Sequence, residues 1–200
     1  MNSSDFHEIF ATYERPIYNY VLRMVKKQEV AEELTQDIFL KISRNLSNFR
    51  GESKLATWIY QIATNTCRDY FQSASYKHSA NTQSLEEPDV SEDAHTDETQ
   101  RILSLEASMI KSEMSECIRE FVDGLPEDYR AVIILHDLHG MKNRETADII
   151  NCALDTVKIR LHRARKKLRT VLASNCEFYR DECNVLSCDR KANEQQGENE

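Results

Sequence analysis

The sequence predicts an all-α protein built from two small helical units. Three observations carry that prediction. Four glycines and three prolines in 200 residues leave little material for the tight turns of a β-rich fold. Apolar residues recur at steps of three and four through both halves of the chain, the period of a helix with one buried face. Between the halves, "SANTQSLEEPDVSEDAHTDET", from Ser79 to Thr99, is acidic and almost without large apolar side chains, so burial cannot offset the entropy of ordering it. The expected organisation is an N-terminal unit over 1–76, a flexible acidic linker over 77–104, a C-terminal unit over 105–172 and a tail over 173–200.

In the first unit, Phe6, Ile9, Phe10, Tyr13, Ile17, Tyr20, Val21 and Met24 form one stripe. Pro16 interrupts it, and a kink or restart is expected there because proline removes a backbone donor. Val30, Leu34, Ile38 and Ile42 form a second stripe and leave Glu32, Glu33, Gln36, Asp37 and Lys41 facing outward. After the turn-like "NFRGES", a third runs through Leu55, Trp58, Ile59, Ile62, Ala63, Thr66 and Tyr70. Three such helices can bury one another.

In the second unit the period returns with Leu105, Met109, Met114, Cys117, Ile118 and Phe121. Leu125–Pro126 then opens a helix from Glu127 to Leu138, with closure expected at His139–Gly140. The stretch "NRETADIINCALDTVKIRLHRARKKL" has the layout of a helix-turn-helix. It comprises a short helix with Ala147 and Ile150, a tight connection at Asn151–Cys152, and a longer helix that buries Val157, Leu161, Ala164, Leu168 and Val171 or Leu172.

Charge is distributed unevenly. The chain carries a formal net charge of −8, yet "TVKIRLHRARKKLRTVL" holds eight basic side chains, counting His162, and no acid. Lys158, Arg160, His162, Arg163 and Arg165 are expected to project from the core. A solvated basic face would look the same from charge alone; the turn ahead of this helix is what points to DNA, its first half in a major groove and its later basic residues at phosphates. No apolar run approaches the ~18 residues of a membrane span, and the start MNSSDFHEIF lacks a secretion pattern, so a cytoplasmic protein with no membrane insertion is expected. There is no glycine-rich phosphate loop and no nucleophile–base motif, so no enzyme activity is expected.

The chain resembles the extracytoplasmic-function sigma factors, bacterial subunits that direct RNA polymerase to promoters. The resemblance lies in "EVAEELTQDIFLKI", "FRGESKLATWIYQIATNTCRDY", "LPEDYRAVIILHDLHGMKNRETADII" and "DTVKIRLHRARKKL", which cover most of both units in the family's order. It implies a promoter-melting region 2, a linker and a helix-turn-helix region 4, without the additional domains of larger sigma factors. Implied partners are core RNA polymerase, through the clamp helices and flap of its large subunits, and promoter DNA, together with an anti-sigma factor whose existence the chain leaves open.

Residue by residue, the resemblance assigns polymerase contact to Glu33, Gln36, Asp37, Phe39 and Leu40 on the outward face of the second helix. It assigns Gln61, Asn65 and Arg68 of the third helix to the opened promoter, with Asn65 lining the pocket for a flipped base. A pocket amide that both donates and accepts can offset the cost of unstacking that base. Trp58 reads as core, whereas Tyr60, Tyr70 and Phe71 are the aromatics better placed to touch bases. In region 4, Lys158, Ile159, His162 and Arg163 align with groove-facing positions, and Arg160, Arg165 and Lys166 are candidate phosphate contacts. The chain departs from the family's pattern in two places, which leaves its promoter sequence open. Ala153–Leu154 lacks a Ser or Thr cap, and Ile159 and His162 cannot make arginine's bidentate guanine contact.

The tail "ASNCEFYRDECNVLSCDRKANEQQGENE" is not required by the minimal family architecture. Cys176 and Cys188 are equidistant from Glu182, so a hairpin turning at Asp181–Asn184 would set them opposite each other, with Cys183 at the turn. Three readings stand side by side: a zinc or copper site of Cys176, Cys183 and Cys188 with a fourth ligand such as Cys152 or His162, a thiol–disulfide switch, or inert cysteines. Cys67 and Cys117 fall on or near helical core faces. Promoter recognition itself requires no cofactor on this reading. A metal-sensing helix-turn-helix regulator that acts without polymerase contacts is the alternative.

Overall fold

The computed structural model of the chain describes residues 3–73, 116–180 and 186–191. The expected linker and the stripe from Leu105 to Met114 lie outside the described residues. The N-terminal unit is three helices: α1 (Ser3–Val25), α2 (Gln28–Asn45) and α3 (Leu55–Gln72). The C-terminal unit begins with α4 (Glu116–Asp123) and α5 (Glu127–Val132), the latter running on as a wider turn over Ile133–Leu138. The helix-turn-helix comes next as α6 (Asn143–Ile150) and α7 (Leu154–Asn175), and an antiparallel hairpin of β1 (Cys176–Arg180) and β2 (Leu186–Arg190) closes the chain's described part. The all-α expectation holds apart from this hairpin.

Pro16 does not break α1. The helix is continuous from Ser3 to Val25 with Pro16 inside it, so the restart expected there does not occur. The flanking residues Ile17, Tyr20, Val21 and Met24 are all buried, and this tertiary burial outweighs one lost backbone hydrogen bond. Lys26, at φ +62°, ends the helix in the left-handed conformation, its N–H donating to Leu22 O at 2.8 Å. Asn151, at φ +55°, does the same for α6 and makes the tight turn of the helix-turn-helix, a conformation asparagine tolerates better than most residues.

The N-terminal core centres on Ile17, Tyr20, Met24, Ile38, Ile42 and Ile59, all fully buried. Tyr20 Oη lies 2.8 Å from Thr64 Oγ1, so the polar end of a buried ring is satisfied. Phe39 belongs to this core rather than to the outward face of α2. It is 4% exposed and sits edge-on to Phe10, ring centroids 4.9 Å apart. Phe39 comes directly after Ile38 and stands four residues after Thr35, itself buried, so it widens the apolar face of α2 toward α1.

The C-terminal core is built from Val122, Val132–Leu135, Ile149, Ile150 and the stripe Val157, Leu161, Ala164, Leu168 and Leu172 of α7. Beside it lies a buried ion pair. The Asp137 side chain, 2% exposed, accepts from Arg165 Nε at 3.1 Å and also from Arg165 Nη2, and lies 2.7 Å from His136 Nδ1. Burial alone would raise the Asp137 pKa, but the hydrogen bonds from His136 and Arg165 outweigh it and hold the carboxyl below its usual range.

This packing makes two substitutions informative. Phe39→Ala should lower unfolding stability by about 3 kcal/mol, a core truncation rather than a surface change, as a shift in urea midpoint at unchanged slope would report. Because Asp137 has a depressed folded pKa, its contribution is fully present above the ordinary carboxylate value and is lost as pH falls through the folded one. Asp137→Asn should therefore cost about 2 kcal/mol at neutral pH, and the gap between wild type and variant should narrow below about pH 4 in the same assay.

Candidate nucleic-acid interface

The two units pack against each other, and the seam decides which candidate residues are accessible. Arg130 of α5 is 6% exposed and sends Nη1 to the carbonyls of Arg23, at 3.2 Å, and Met24, at the C-terminal end of α1. Its Nε and Nη2 donate to Leu125 O at 3.3 and 3.0 Å. Helix ends leave carbonyls without intrahelical partners, so an arginine from one unit satisfies a terminus of the other. Further along, Lys54 Nζ pairs with Glu145 Oε1 at 2.7 Å, and Glu145 Oε2 accepts the Lys142 N–H at 2.8 Å at the start of α6. The hydrogen bond from Lys54, then that from Lys142, holds the Glu145 carboxyl below its usual range.

The outward face of α3 meets α6. Gln61 Nε2 donates to Asp148 O at 3.3 Å, and Arg68 Nη2 donates to Ile150 O at 3.0 Å, near the C-terminal end of α6 where carbonyls lack helical partners. Asn65 is exposed, its Oδ1 accepting from Arg68 Nη1 at 3.4 Å. Gln61, Asn65 and Arg68 thus share a face, and the two flanking members are held by backbone of the C-terminal unit. Tyr60, expected among the base-contacting aromatics, is instead buried at this seam, its hydroxyl 3.0 Å from His139 Nδ1. Tyr70 and Phe71 are half-buried and pack on each other with centroids 5.6 Å apart. Trp58 is half-buried against Phe49 at 5.1 Å.

On α2, Glu33, Gln36, Asp37 and Leu40 are exposed, and Phe39 alone of the five expected polymerase contacts is not. Leu40 stands out among them as an aliphatic side chain 53% exposed. Asp37 pairs with Lys41 at 3.5 Å across one helical turn, an exposed pair worth a few tenths of a kcal/mol at most and easily exchanged for another partner.

On α7, Lys158, Ile159, His162 and Lys166 are exposed on one side of the helix, and Arg163 borders them, half-buried. Ile159 is 51% exposed, an apolar group set among basic ones. Arg160 and Arg165 do not project as expected. Arg160 stands four residues before Ala164 and Arg165 four after Leu161, so both flank the buried stripe and reach acids of α5 and its continuation. Arg160 Nη2 lies 2.7 Å from Asp128 Oδ2, and Arg165 is committed to Asp137. Only the spacing of acids around Glu127–Leu138 hinted at these pairings in the sequence. The N-terminus of α7 has no side-chain cap, as the absence of Ser or Thr implied.

The hairpin forms, but in a different register from the one expected. Cys188 pairs with Phe178 and Cys176 with Arg190, so the two cysteines are diagonal on one face instead of opposite. That face is fixed by packing: Arg190 Nη1 pairs with Glu120 Oε2 at 3.0 Å and its guanidinium lies 5.7 Å over the Phe121 ring, both on α4. Cys183 lies outside the described residues, and among the described residues no group of three or more His, Cys, Asp or Glu side chains is set to hold a metal. Neither expected fourth ligand can complete a tail site. Cys152 precedes the 22-residue α7 and Cys176 comes after it, which separates them by about 33 Å. His162 is about 20 Å from the hairpin end of the same helix. Burial pushes the Cys67 thiol up to about 12 and raises that of Cys152, so neither is poised as a thiolate.

Comparison with known proteins agrees with the geometry of both units. Residues 9–76 match the Sigma-70 region 2 family and residues 115–168 the Sigma-70 region 4 family. The chain is 30% identical over 164 residues to the ECF RNA polymerase sigma-E factor of Escherichia coli strain K12, covering 82% of this chain and 84% of that one. It is 28% identical over 167 residues to the RNA polymerase sigma-H factor of Pseudomonas aeruginosa, covering 84% and 86%. Among solved structures, the sigma factor RpoE in complex with the anti-sigma factor NepR from Bartonella quintana has the same fold, with a TM-score of 0.63 at 21% identity over 84% of this chain and 97% of that one. CnrH in complex with the cytosolic domain of CnrY gives a TM-score of 0.58 at 19% identity, over 86% and 90%. No described helix is long and apolar enough to cross a membrane. With its two sigma regions in order and both halves of the helix-turn-helix in place, the chain belongs to the extracytoplasmic-function sigma factors.

Proposed function

We propose that this sigma factor binds core RNA polymerase through the exposed Glu33, Gln36, Asp37 and Leu40 of α2, and reads a two-part promoter with α3 and α7. Lys158, Ile159, His162 and Arg163 enter the major groove of the upstream element, with Lys166 at a phosphate. Gln61, Asn65 and Arg68 receive the displaced strand of the downstream element, Asn65 holding a flipped base. Arg160 and Arg165 position α7 through Asp128 and Asp137 in place of the phosphate contacts their charge suggested. The observation that carries this reading is the seam itself: Gln61 and Arg68 are occupied by the carbonyls of Asp148 and Ile150, so both elements can be read together only after region 4 leaves α3. Binding to the polymerase supplies the energy for that opening. An anti-sigma protein would hold the two regions together, a reading supported by the RpoE and CnrH structures being complexes with NepR and CnrY.

The tail is read as a second input, a zinc or copper ion held by Cys176 and Cys188 with Cys183. The shared face of Cys176 and Cys188 supports a bridging ion over a direct disulfide, since diagonal partners in a hairpin have Cα atoms roughly 7 to 8 Å apart and a disulfide needs less. When bound, the metal would tie the hairpin more firmly to the end of α7, whose backbone already receives Lys191: its N–H donates to Asn175 O and its Nζ to Ala173 O, both at 2.8 Å.

Two measurements test these readings. An Asp37→Ala, Leu40→Ala double variant should lose co-elution with core polymerase at least tenfold in affinity while retaining wild-type urea stability; undiminished co-elution places the polymerase contact elsewhere. For the tail, full-length wild type should compete a chromophoric chelator for zinc(II) or copper(I), and a Cys176→Ser, Cys188→Ser variant should not. Equal competition by both would remove the metal from this account.

A further inference from the structure

His139 closes the seam between regions 2 and 4. It stands just past the last turn of α5, where Gly140 at φ +67° lets the chain reverse, and its ring enters region 2 between two tyrosines. The ring centroid lies 5.1 Å from that of Tyr60 and 6.2 Å from that of Tyr20. Tyr60 immediately precedes Gln61, so the imidazole touches the same helix that carries the promoter-reading side chains. The groups acting on the ring from the elements around it are Tyr20 and Arg23 of α1 and Tyr60 of α3, with Tyr13 of α1 acting in turn on Tyr60. Arg23 is a cation, and none of these is a carboxylate. Burial raises the pKa of both Tyr20 and Tyr60, so neither ring is an anion that would welcome a proton on His139, and the Asp123 carboxylate acts on Arg23.

We propose that His139 is a proton-operated latch between regions 2 and 4: the neutral imidazole fits the closed seam, and its protonation drives region 4 off α3. With Nδ1 unprotonated, Tyr60 O–H donates to it; once protonated, Nδ1–H can donate to Tyr60 Oη instead, so the hydrogen bond is not what breaks. What changes is that a cation now sits in a buried tyrosine cage beside Arg23. The attraction of the aromatic faces for that cation is smaller than the cost of burying it. Burial first, then Arg23, holds the imidazole down to about 4 in the closed form. In the open form the ring meets water and returns to its ordinary value near 6.5.

That difference fixes the sign of the pH response. The closed arrangement keeps its full stability above about pH 6.5 and loses it as pH falls from there toward the closed-form value, so acidification favours the open, promoter-competent form. Between about pH 7.5 and 5.5 the closed-to-open ratio should fall roughly tenfold. The latch rests on the reading in which the closed seam withholds α3 from DNA, but its own test needs neither polymerase nor promoter, so failure of one does not imply failure of the other.

The experiment is a distance measurement on the full-length protein, with fluorophores carried by unnatural side chains at Glu29 on α2 and Lys167 on α7, both exposed. Wild type should show the tenfold change in closed-to-open ratio over that pH range, and His139→Gln, whose amide can still accept from Tyr60, should stay within about twofold. A flat wild type, or an equal slope in the variant, overturns the latch. If the variant fails to fold, NMR titration of the His139 ring in wild type decides. Loss of the Gln61 side-chain contact with Asp148 in step with protonation of His139 supports the latch, and a seam left intact through that titration, or a His139 midpoint at about 6.5, overturns it.

Discussion

The guanidinium of Arg130 is the interaction on which the arrangement depends. It is buried, and it donates to the carbonyls of Arg23, Met24 and Leu125. A buried charge is costly unless hydrogen-bonded, and the partially negative end of a helix is a suitable partner because its last carbonyls have no helical donors. The same contact therefore solves two problems, one in each region. It also fixes where α5 starts relative to α1, and α5 in turn sets the positions of His139, α6 and the seam on α3.

If α3 reads the opened promoter as proposed, the seam uses identical chemistry for two purposes. Gln61 and Arg68 are amide and guanidinium donors, suited to nucleic-acid acceptors; the backbone carbonyls of Asp148 and Ile150 are acceptors of the same kind, presented by the protein itself. On the proposed reading, region 4 occupies on α3 the place that promoter DNA would take. The exchange costs little in hydrogen-bond count because each donor trades one acceptor for another. What must be supplied is the apolar and ionic remainder of the seam, including Lys54–Glu145 and the Tyr60–His139 contact.

Much of this was legible in the sequence because period and punctuation are local. The three stripes of region 2, the helix from Glu127, the Asn151 turn and the α7 stripe are set by spacing and by residues that tolerate special backbone conformations. The errors share a cause of the opposite kind. Phe39, Tyr60, Arg160 and Arg165 are each positioned by a partner 28 to 79 residues away in the chain. A helical stripe says which side of a helix is buried, but not how wide the buried side becomes once another helix arrives. Pro16 is the same lesson for the backbone, since the sequence marks the lost donor and only the core around Ile17 and Tyr20 shows that the loss is tolerated. The hairpin pairing is offset by two residues from the expected one, with Cys176 opposite Arg190 instead of Cys188, because contacts of Arg190 with Glu120 and Phe121, far away in the sequence, set it.

The unbroken α7 has a mechanical consequence. One end of this helix presents Lys158, Ile159 and His162, and the other runs straight into the cysteine hairpin without a hinge residue between them. A helix of this length behaves as a stiff rod, so a small tilt imposed at the hairpin is delivered to the reading end as a lateral sweep of the side chains. The tail can thus act as the handle of a lever whose far end carries Lys158, Ile159 and His162, with the core stripe from Val157 to Leu172 as its bearing. If α7 reads the promoter as proposed, substitutions at Arg190 or Glu120 would then change promoter preference without touching DNA.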